Sequence, residues 1–419
     1  MFASIILLLI CVVFIVVQLK SRRPKNFPPG PPVWPILGNI LDLSLENPLK
    51  DFERLKKTYG NVYSLFLGPK PVVVMNGMKT IKEALVTKGV DFAGRPQDLF
   101  VNDSTQRKGV ILADYGSSWK EQRRFALMNL RNFGMGKDSM EERIHGEIQY
   151  TVDTLEKSIG KSFSPQNMFH NAASNIICQV LFGKRFEYQD ETMKTLVQCF
   201  TENAKIANGP WAMLYDSFPL IRSLPLPFRQ AFKNVETCQK IAKTLMNEHK
   251  QTRVPGEPRD FVDCYLDRLD KAVIHEIQRV ANTVPLSVFH CTTKDTELNG
   301  YSIPKGTLII PNLTSVLNEE GQWKFPNEFN PENFLNDQGE FVKPEAFMPF
   351  SAGPRMCLGE GLARMELFLF TVTLLRKFKF IWPEDAGEPD FTPVYGVTLT
   401  PKPYRMKVQL RVSQKIPNL

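Results

Sequence analysis

One cysteine constrains this chain more than any other feature. Cys357 lies in Phe350-Ser351-Ala352-Gly353-Pro354-Arg355-Met356-Cys357-Leu358-Gly359, directly ahead of an apolar stretch of helical length, Glu360 to Lys377. A thiol at a loop-to-helix junction faces the positive end of the helix macrodipole and unpaired backbone N–H groups, both of which favour thiolate over thiol. Such a sulfur can bind a metal. Gly353 and Gly359 let the backbone turn tightly and approach a flat cofactor. Phe350 can pack near the sulfur, and Arg355 can meet an anionic group. A lone cysteine is more often an inert core side chain; the ten-residue context argues against that reading here.

The other end of the chain is built for lipid. Residues Met1 to Leu19 carry no charged side chain, and Lys20, Arg22, Arg23 and Lys25 follow at once. That length is close to the ~20 apolar residues a bilayer core requires. A cleaved signal peptide would place its basic residues first and end on a small-x-small site, and neither is present. Residues 1–20 therefore read as a retained transmembrane anchor, although a buried terminal helix has the same composition. The positive-inside rule puts the amino terminus in the lumen and the body in the cytosol. Residues 21–38 form a basic, proline-rich hinge: in Phe27-Pro28-Pro29-Gly30-Pro31-Pro32 five of six residues are Pro or Gly, a stiff spacer. Two sequons, at Asn102 with Ser104 and Asn312 with Thr314, would lie on the cytosolic side and so test this orientation.

The body, 39–419, is globular in composition. The 419 residues are 43% hydrophobic and 23% charged, which excludes a disordered or fibrous chain. The net charge is +8, yet there is no base-reading helix, zinc-finger spacing or long basic block, so nucleic acid is excluded as a partner. Seven scattered cysteines, at 11, 178, 199, 238, 264, 291 and 357, without a CxxC pair, fit a reducing compartment. Helical periodicity dominates from Leu49 to Lys271, in Leu49 to Tyr59, Thr80 to Lys88 and Met140 to Ile159. Val62 to Leu67 and Pro71 to Val74 bracket a turn and predict a hairpin. Leu298 to Tyr301, Thr307 to Ile310 and Val397 to Leu410 read as strands. The fold class is mainly α with a minor β-sheet region.

The decapeptide FSAGPRMCLG resembles the haem-binding signature FxxGxRxCxG of the cytochrome P-450 family at every specified position. The resemblance implies that Cys357 is the axial thiolate ligand of haem iron, with Phe350, Arg355 and Gly359 around the haem, and thiolate donation favours O–O cleavage. Glu276-Ile277-Gln278-Arg279 resembles the family's K-helix ExxR, which implies a structural ion pair between Glu276 and Arg279. Taken alone, that spacing is an ordinary solvated pair. Trp119-Lys120-Glu121-Gln122-Arg123 resembles the C-helix WxxxR, implying that Trp119 and Arg123 bond a haem propionate. Arg95 and His290 look like further propionate partners, or satisfied structural residues. Phe329-Asn330-Pro331-Glu332-Asn333-Phe334 resembles the PERF segment with Asn333 in place of the usual Arg, implying a neutral hydrogen bond as the triad's third member.

The resemblance covers nearly the whole chain and is closest to microsomal family 2, with a look of subfamily J. It implies an enzyme: a mono-oxygenase of lipophilic substrates such as polyunsaturated fatty acids or xenobiotics. It implies haem b, electrons from NADPH through a reductase docking on a basic face near Cys357, cytochrome b5 as a possible second donor, and a single-pass place in the endoplasmic reticulum membrane. Trp211, Tyr215 and Phe218 fall where the family keeps a membrane-facing substrate entrance; an aromatic stripe is also ordinary core.

One family element is missing. No AGxDT-like acid-alcohol pair occurs anywhere, so no catalytic residue for proton delivery is found, and Phe261 to Lys271 runs straight into Ala272-Val273-Ile274-His275-Glu276. The fold expected is that of the family without its I and J helices, with an internal deletion near 271/272. Apolar burial is worth about 25 cal/mol per Å², so losing a long core helix competes with the ~5–15 kcal/mol by which domains are stable. Asp263 to Val280 reads as one continuous helix with Leu266, Leu269, Val273, Ile277 and Val280 on one stripe. Two alternatives to the mono-oxygenase stay open: a catalytically inactive membrane-bound interaction or regulatory protein, and a haem-thiolate isomerase that needs no dioxygen.

Overall fold

In a computed structural model of the chain, the described residues are 23–44, 47–132, 138–182, 184–188, 190–252 and 268–411. The anchor at 1–20, Cys11 and Cys264 lie outside them. Among the described residues no helix is long and apolar enough to cross a membrane.

The first element, α1 (Leu49–Tyr59), buries Phe52 and Leu55 on one face. Asp51 in its first turn and Lys56 and Lys57 in its last complement the dipole. Gly60, at φ 88°, ends it, a conformation that suits a residue without a Cβ. The hairpin β1 (Val62–Leu67) and β2 (Lys70–Met75) pairs Leu67 with Lys70 and Val62 with Met75. β2 runs parallel to β6 (Leu308–Pro311), and β6 antiparallel to β3 (His290–Cys291), giving the order β1-β2-β6-β3. Side chains alternate across this sheet. Val73, Met75 and Ile309 enter one core cluster, and Val72, Val74, Leu308 and Ile310 enter another.

Helices make up most of the body. α2 (Met78–Lys82) continues as a π-helical turn over Glu83–Thr87. α3 (Phe100–Ser104), α4 (Gly109–Leu112), α5 (Ser117–Asn132), α6 (Asp138–Glu156) and α7 (Gln166–Phe182) follow. Then come α8 (Glu191–Asn208), α9 (Pro210–Ser217), α10 (Phe228–Thr252), α11 (Arg268–Ala281), α12 (Thr314–Leu317) and α13 (Glu360–Lys377). α8 starts where the Asp190 carboxylate accepts from the backbone N–H of Thr192 (2.7 Å) and Met193 (3.3 Å), an N-cap that satisfies two otherwise unpaired donors.

Three sequence expectations need correction. Leu298 to Tyr301 is not one strand but the bend between β4 (Thr296–Leu298) and β5 (Tyr301–Ile303), with Asn299 at φ 51° and Gly300 at φ 80°. Asn-Gly at a two-residue loop is the chemistry of a type I′ hairpin. Of Val397 to Leu410 only β8 (Lys407–Leu410) forms a strand, paired with β7 (Phe378–Ile381). Pro401 and Pro403 have no N–H to give a ladder. In α11 the apolar stripe is less buried than the face beside it, with Val273 and Ile277 half-buried and Leu266 outside the described residues. Val280 is 48% exposed, whereas Ala272, His275, Glu276 and Arg279 are buried, because the Glu276–Arg279 pair turns its own side of the helix inward.

Candidate functional site

Four segments distant in sequence meet around Arg355. Its Nε donates to the carbonyl of Ala93 (2.7 Å) and its Nη2 to that of Ala113 (3.0 Å). The guanidinium lies 4.0 Å from the ring centre of Trp119. Arg95 donates from Nε to the Ile111 carbonyl (2.9 Å) and from Nη1 to those of Phe289 (2.9 Å) and Val288 (3.3 Å). α5 contributes Arg123, whose Nη2 donates to the Met356 carbonyl (2.6 Å), inside the cysteine loop. The Nδ1 of His290, on β3, lies 2.7 Å from the Phe92 carbonyl.

This gathering carries more positive charge than it has carboxylate to match. Arg95 is 4% and Arg355 7% exposed. Burial, and then each guanidinium's repulsion of its neighbours, pushes Arg95 down to about 9. Burial above all pushes Arg355 to about 10. Asp114 was not marked by the sequence reading; it accepts from the backbone N–H of Arg95 (3.0 Å) rather than from a guanidinium. Within this cluster two buried nitrogens are left open, Nη1 of Arg355 and Nε2 of His290. Buried polar atoms are ordinarily paired, so an unpaired guanidinium nitrogen amid unbalanced positive charge fits a carboxylate-bearing ligand. Trp119 is different: its indole N–H is already given to the Val110 carbonyl (2.9 Å), so it acts through its ring face.

Cys357 sits beside this cluster. It is exposed, its backbone N–H bonds the Phe350 carbonyl (2.9 Å), and α13 begins three residues later. A cavity of about 550 Å³ lies against Trp119, Arg123, Leu127 and Pro354, a size typical of ligand sites. A smaller one of about 330 Å³ is bordered by Phe350, Met356 and Glu360. The two glycines of the loop differ. A Cβ on Gly353, at φ 71°, would sit 1.7 Å from the Leu85 carbonyl oxygen, so this glycine serves packing on the π-helical turn. A Cβ on Gly359 would meet nothing within 4 Å, leaving that side open to a flat group.

The brace beneath the site is fully buried. Arg279 grips Glu276 through Nε–Oε2 and Nη2–Oε1, both 2.8 Å. It also donates to the carbonyls of Leu317, Pro326 and Glu328. Glu276 Oε1 accepts from the backbone of Asn330 (2.8 Å) and the side-chain amide of Asn333 (3.2 Å). Asn330 is a member that sequence alone did not single out, since it acts through its backbone.

Two sequence readings change. Tyr215 is buried, packs on Phe100 and Phe228, and donates to Asp103 (2.9 Å); Trp211 packs against the same core cluster. These two are core residues of the α3–α9–α10 contact rather than an open entrance. The sequon asparagines are buried too, Asn102 at 1% and Asn312 at 3%, with amides given to Leu112 and Asn76. The folded chain leaves no room for a glycan at either asparagine.

The family model described as Cytochrome P-450 matches residues 28–271 and 268–408, two pieces that meet inside the first turn of α11. Cytochrome P-450 2F2 of Rattus norvegicus is 35% identical over 489 aligned positions, covering 97% of this chain and 99% of the relative. Cytochrome P-450 2F1 of Homo sapiens is 35% identical with the same coverage, and Cytochrome P-450 2K1 of Oncorhynchus mykiss is 37% identical over 94% of each chain. An alignment of 489 positions to a chain of 419 residues leaves part of the relative without a counterpart here.

Proposed function

The chain belongs to the cytochrome P-450 family as a microsomal family-2 haem-thiolate mono-oxygenase, with haem b as cofactor and NADPH electrons supplied by a reductase; from that premise we propose a role for each residue of the site. Bound haem supplies reductive activation of dioxygen and transfer of one of its atoms to an organic substrate. The Cys357 sulfur would hold the haem iron, with its loop held by the bond from its own N–H to Phe350 and by the reach of Arg123 to Met356. Arg95, Arg123, Arg355 and His290 would hold the propionates, Trp119 supports Arg355 through its ring, and Phe350 and Gly359 would border the macrocycle. The open Nη1 of Arg355 within a buried surplus of positive charge carries this assignment. Hemin reconstitution followed by a carbon monoxide difference spectrum of the reduced protein tests it. A thiolate-type Soret band is expected, and colourless protein refutes the reading.

The substrates are lipophilic, of the polyunsaturated fatty acid or xenobiotic kind, taken up from the endoplasmic reticulum membrane. Residues 1–20 anchor the chain, 21–38 space it, and 39–419 form the catalytic body on the cytosolic side. Trp34, Ile36 and Leu41 are exposed, as are Leu220 (91%) and Leu224. Gly68 lies close to both Ile36 and Ser217, so the two apolar segments neighbour one another, which supports a lipid-facing surface. Lys120 and Arg124, exposed on α5, give the reductase and cytochrome b5 a basic docking face. Resistance of the membrane-bound chain to alkaline extraction, lost on deletion of 1–38, is the test.

A second reading has its own support. The segment of α13 carries apolar side chains around its whole circumference, with no single apolar face, yet only Leu362, Leu369 and Leu374 are buried and Leu375 is 45% exposed. The two-piece family match points the same way. A chain without the I and J helices, deleted near 271/272, binds haem and reductase while lacking an acid-alcohol pair for proton delivery. It then acts as a membrane-bound interaction protein that competes for the reductase. NADPH consumption without equivalent product marks this reading, and stoichiometric product excludes it.

A further inference from the structure

α8 and α10 pack as antiparallel neighbours, and their register brings two thiols together. Asn234 on α10 donates to Asn203 Oδ1 (3.0 Å) and Glu202 Oε2 (3.0 Å) on α8. At the far end Val197 and Ile241 join one core cluster with Met193; at the near end Ile206 and Ala207 meet Phe228 and Ala231. Four residues, about one turn, back along α8 from Asn203 is Cys199. Four residues onward along α10 from Asn234 is Cys238. That register sets the two thiols opposite each other across the α8–α10 seam, near enough for Cys199 to act on the Cys238 thiol electrostatically. Cys178, in contrast, is moved by burial alone and has no thiol partner of this kind.

We propose that Cys199 and Cys238 form a peroxide-sensitive dithiol whose oxidation to a disulfide clamps α8 to α10. Cys238 is the more exposed of the two, intermediate where Cys199 is buried, and meets the oxidant first. Its sulfur attacks a peroxide oxygen, the O–O bond breaks, and a sulfenic acid and one water result. Cys199 then attacks the sulfenic sulfur, the S–S bond forms and a second water leaves. Two thiols are oxidised by two electrons and one hydrogen peroxide is reduced to two waters.

Burial, and then the neighbouring Cys199, pushes the Cys238 thiol up to about 11. The thiolate is the nucleophile, so oxidation is slow at neutral pH and accelerates about tenfold per pH unit from 7 to 9, while the thiolate fraction stays small. The pair is thus a responder to sustained oxidant rather than a fast sensor.

The test uses the full chain, reduced, treated with hydrogen peroxide, alkylated and digested with trypsin. The expected product joins peptide 195–205 to peptide 234–240, is cleaved by dithiothreitol, and persists in Cys178→Ser. In Cys199→Ser the link is lost, and Cys238 is trapped as a sulfenic acid by dimedone. The same treatment in urea provides the reference for random pairing. No link, or a mixture of cysteine pairings equal to that in urea, overturns the proposal.

Discussion

Arg279 and Glu276 meet through two parallel hydrogen bonds of 2.8 Å, with side chains only 1% and 0% exposed. A bidentate pair this dry is balanced by further bonds to four carbonyls and two N–H donors, so removing one partner strands a buried charge. Arg279→Ala is expected to lose about 3–5 kcal/mol in urea unfolding. Breaking the exposed Lys240–Glu236 pair should cost no more than ~1 kcal/mol. Equal losses would show that the buried pair is not a brace.

Cys357→Ala should abolish the thiolate-type carbon monoxide band, whereas Cys264→Ala should leave it in place. Equal loss in both variants would point to general instability instead of ligand identity.

Hemin affinity should fall as pH rises. Burial, then Arg95 and Arg355, holds His290 well below its ordinary value near 6.5. The Phe92 carbonyl can only accept, so Nδ1 carries the proton and Nε2 is bare. A carboxylate arriving there favours the imidazolium, which makes binding take up a proton. Affinity then declines by up to about tenfold per pH unit between the free-state and the bound-state values and levels off above the latter, as titrations at several pH values would show, and His290→Phe should flatten the slope. Without ligand the sign for folding is the reverse of a salt-bridged histidine. The unfolded chain binds the proton more readily, so stability is lost as pH falls below about 6.5.

Burial pushes the Glu366 carboxyl up to about 7, and its Oε1 has no partner. The folded state therefore holds a proton that the unfolded chain has released, and stability declines as pH rises from about 4.5 to 7. Glu366→Gln should remove that decline and leave the protein more stable than wild type at pH 8, in thermal melts. A less stable variant would mean that the carboxylate has a use in the fold.

Gly353→Ala should destabilise by more than about 1–3 kcal/mol, since it meets both a positive φ and the Leu85 carbonyl. Gly359→Ala should fold normally and lose hemin affinity. Hemin binding unchanged in Gly359→Ala would mean that no flat group approaches there.

Much of the site was legible in the residues because its chemistry is local. The turn before α13, the bounds of α13 and the β1–β2 hairpin follow from turn residues and periodicity. The β4–β5 hairpin was also written locally, in Asn299-Gly300, and was misread because its two strands are only three residues long. The α11 stripe failed for another reason. Periodicity ranks faces by apolarity, and a polar pair satisfied by carbonyls from 317–328 outranks it once folded.

The sequence alone determined the kind of ligand that Cys357 presents, the family likeness, and the missing acid-alcohol pair, since each is a matter of residue type and order. Tertiary structure decided which charges are buried together, which glycine is packed and which is open, and that Cys199 and Cys238 share the α8–α10 seam. Arg95 and Phe289 are 194 residues apart along the chain. Contacts at that separation depend on how helices and sheet share one limited interior, a competition for burial that no local pattern records.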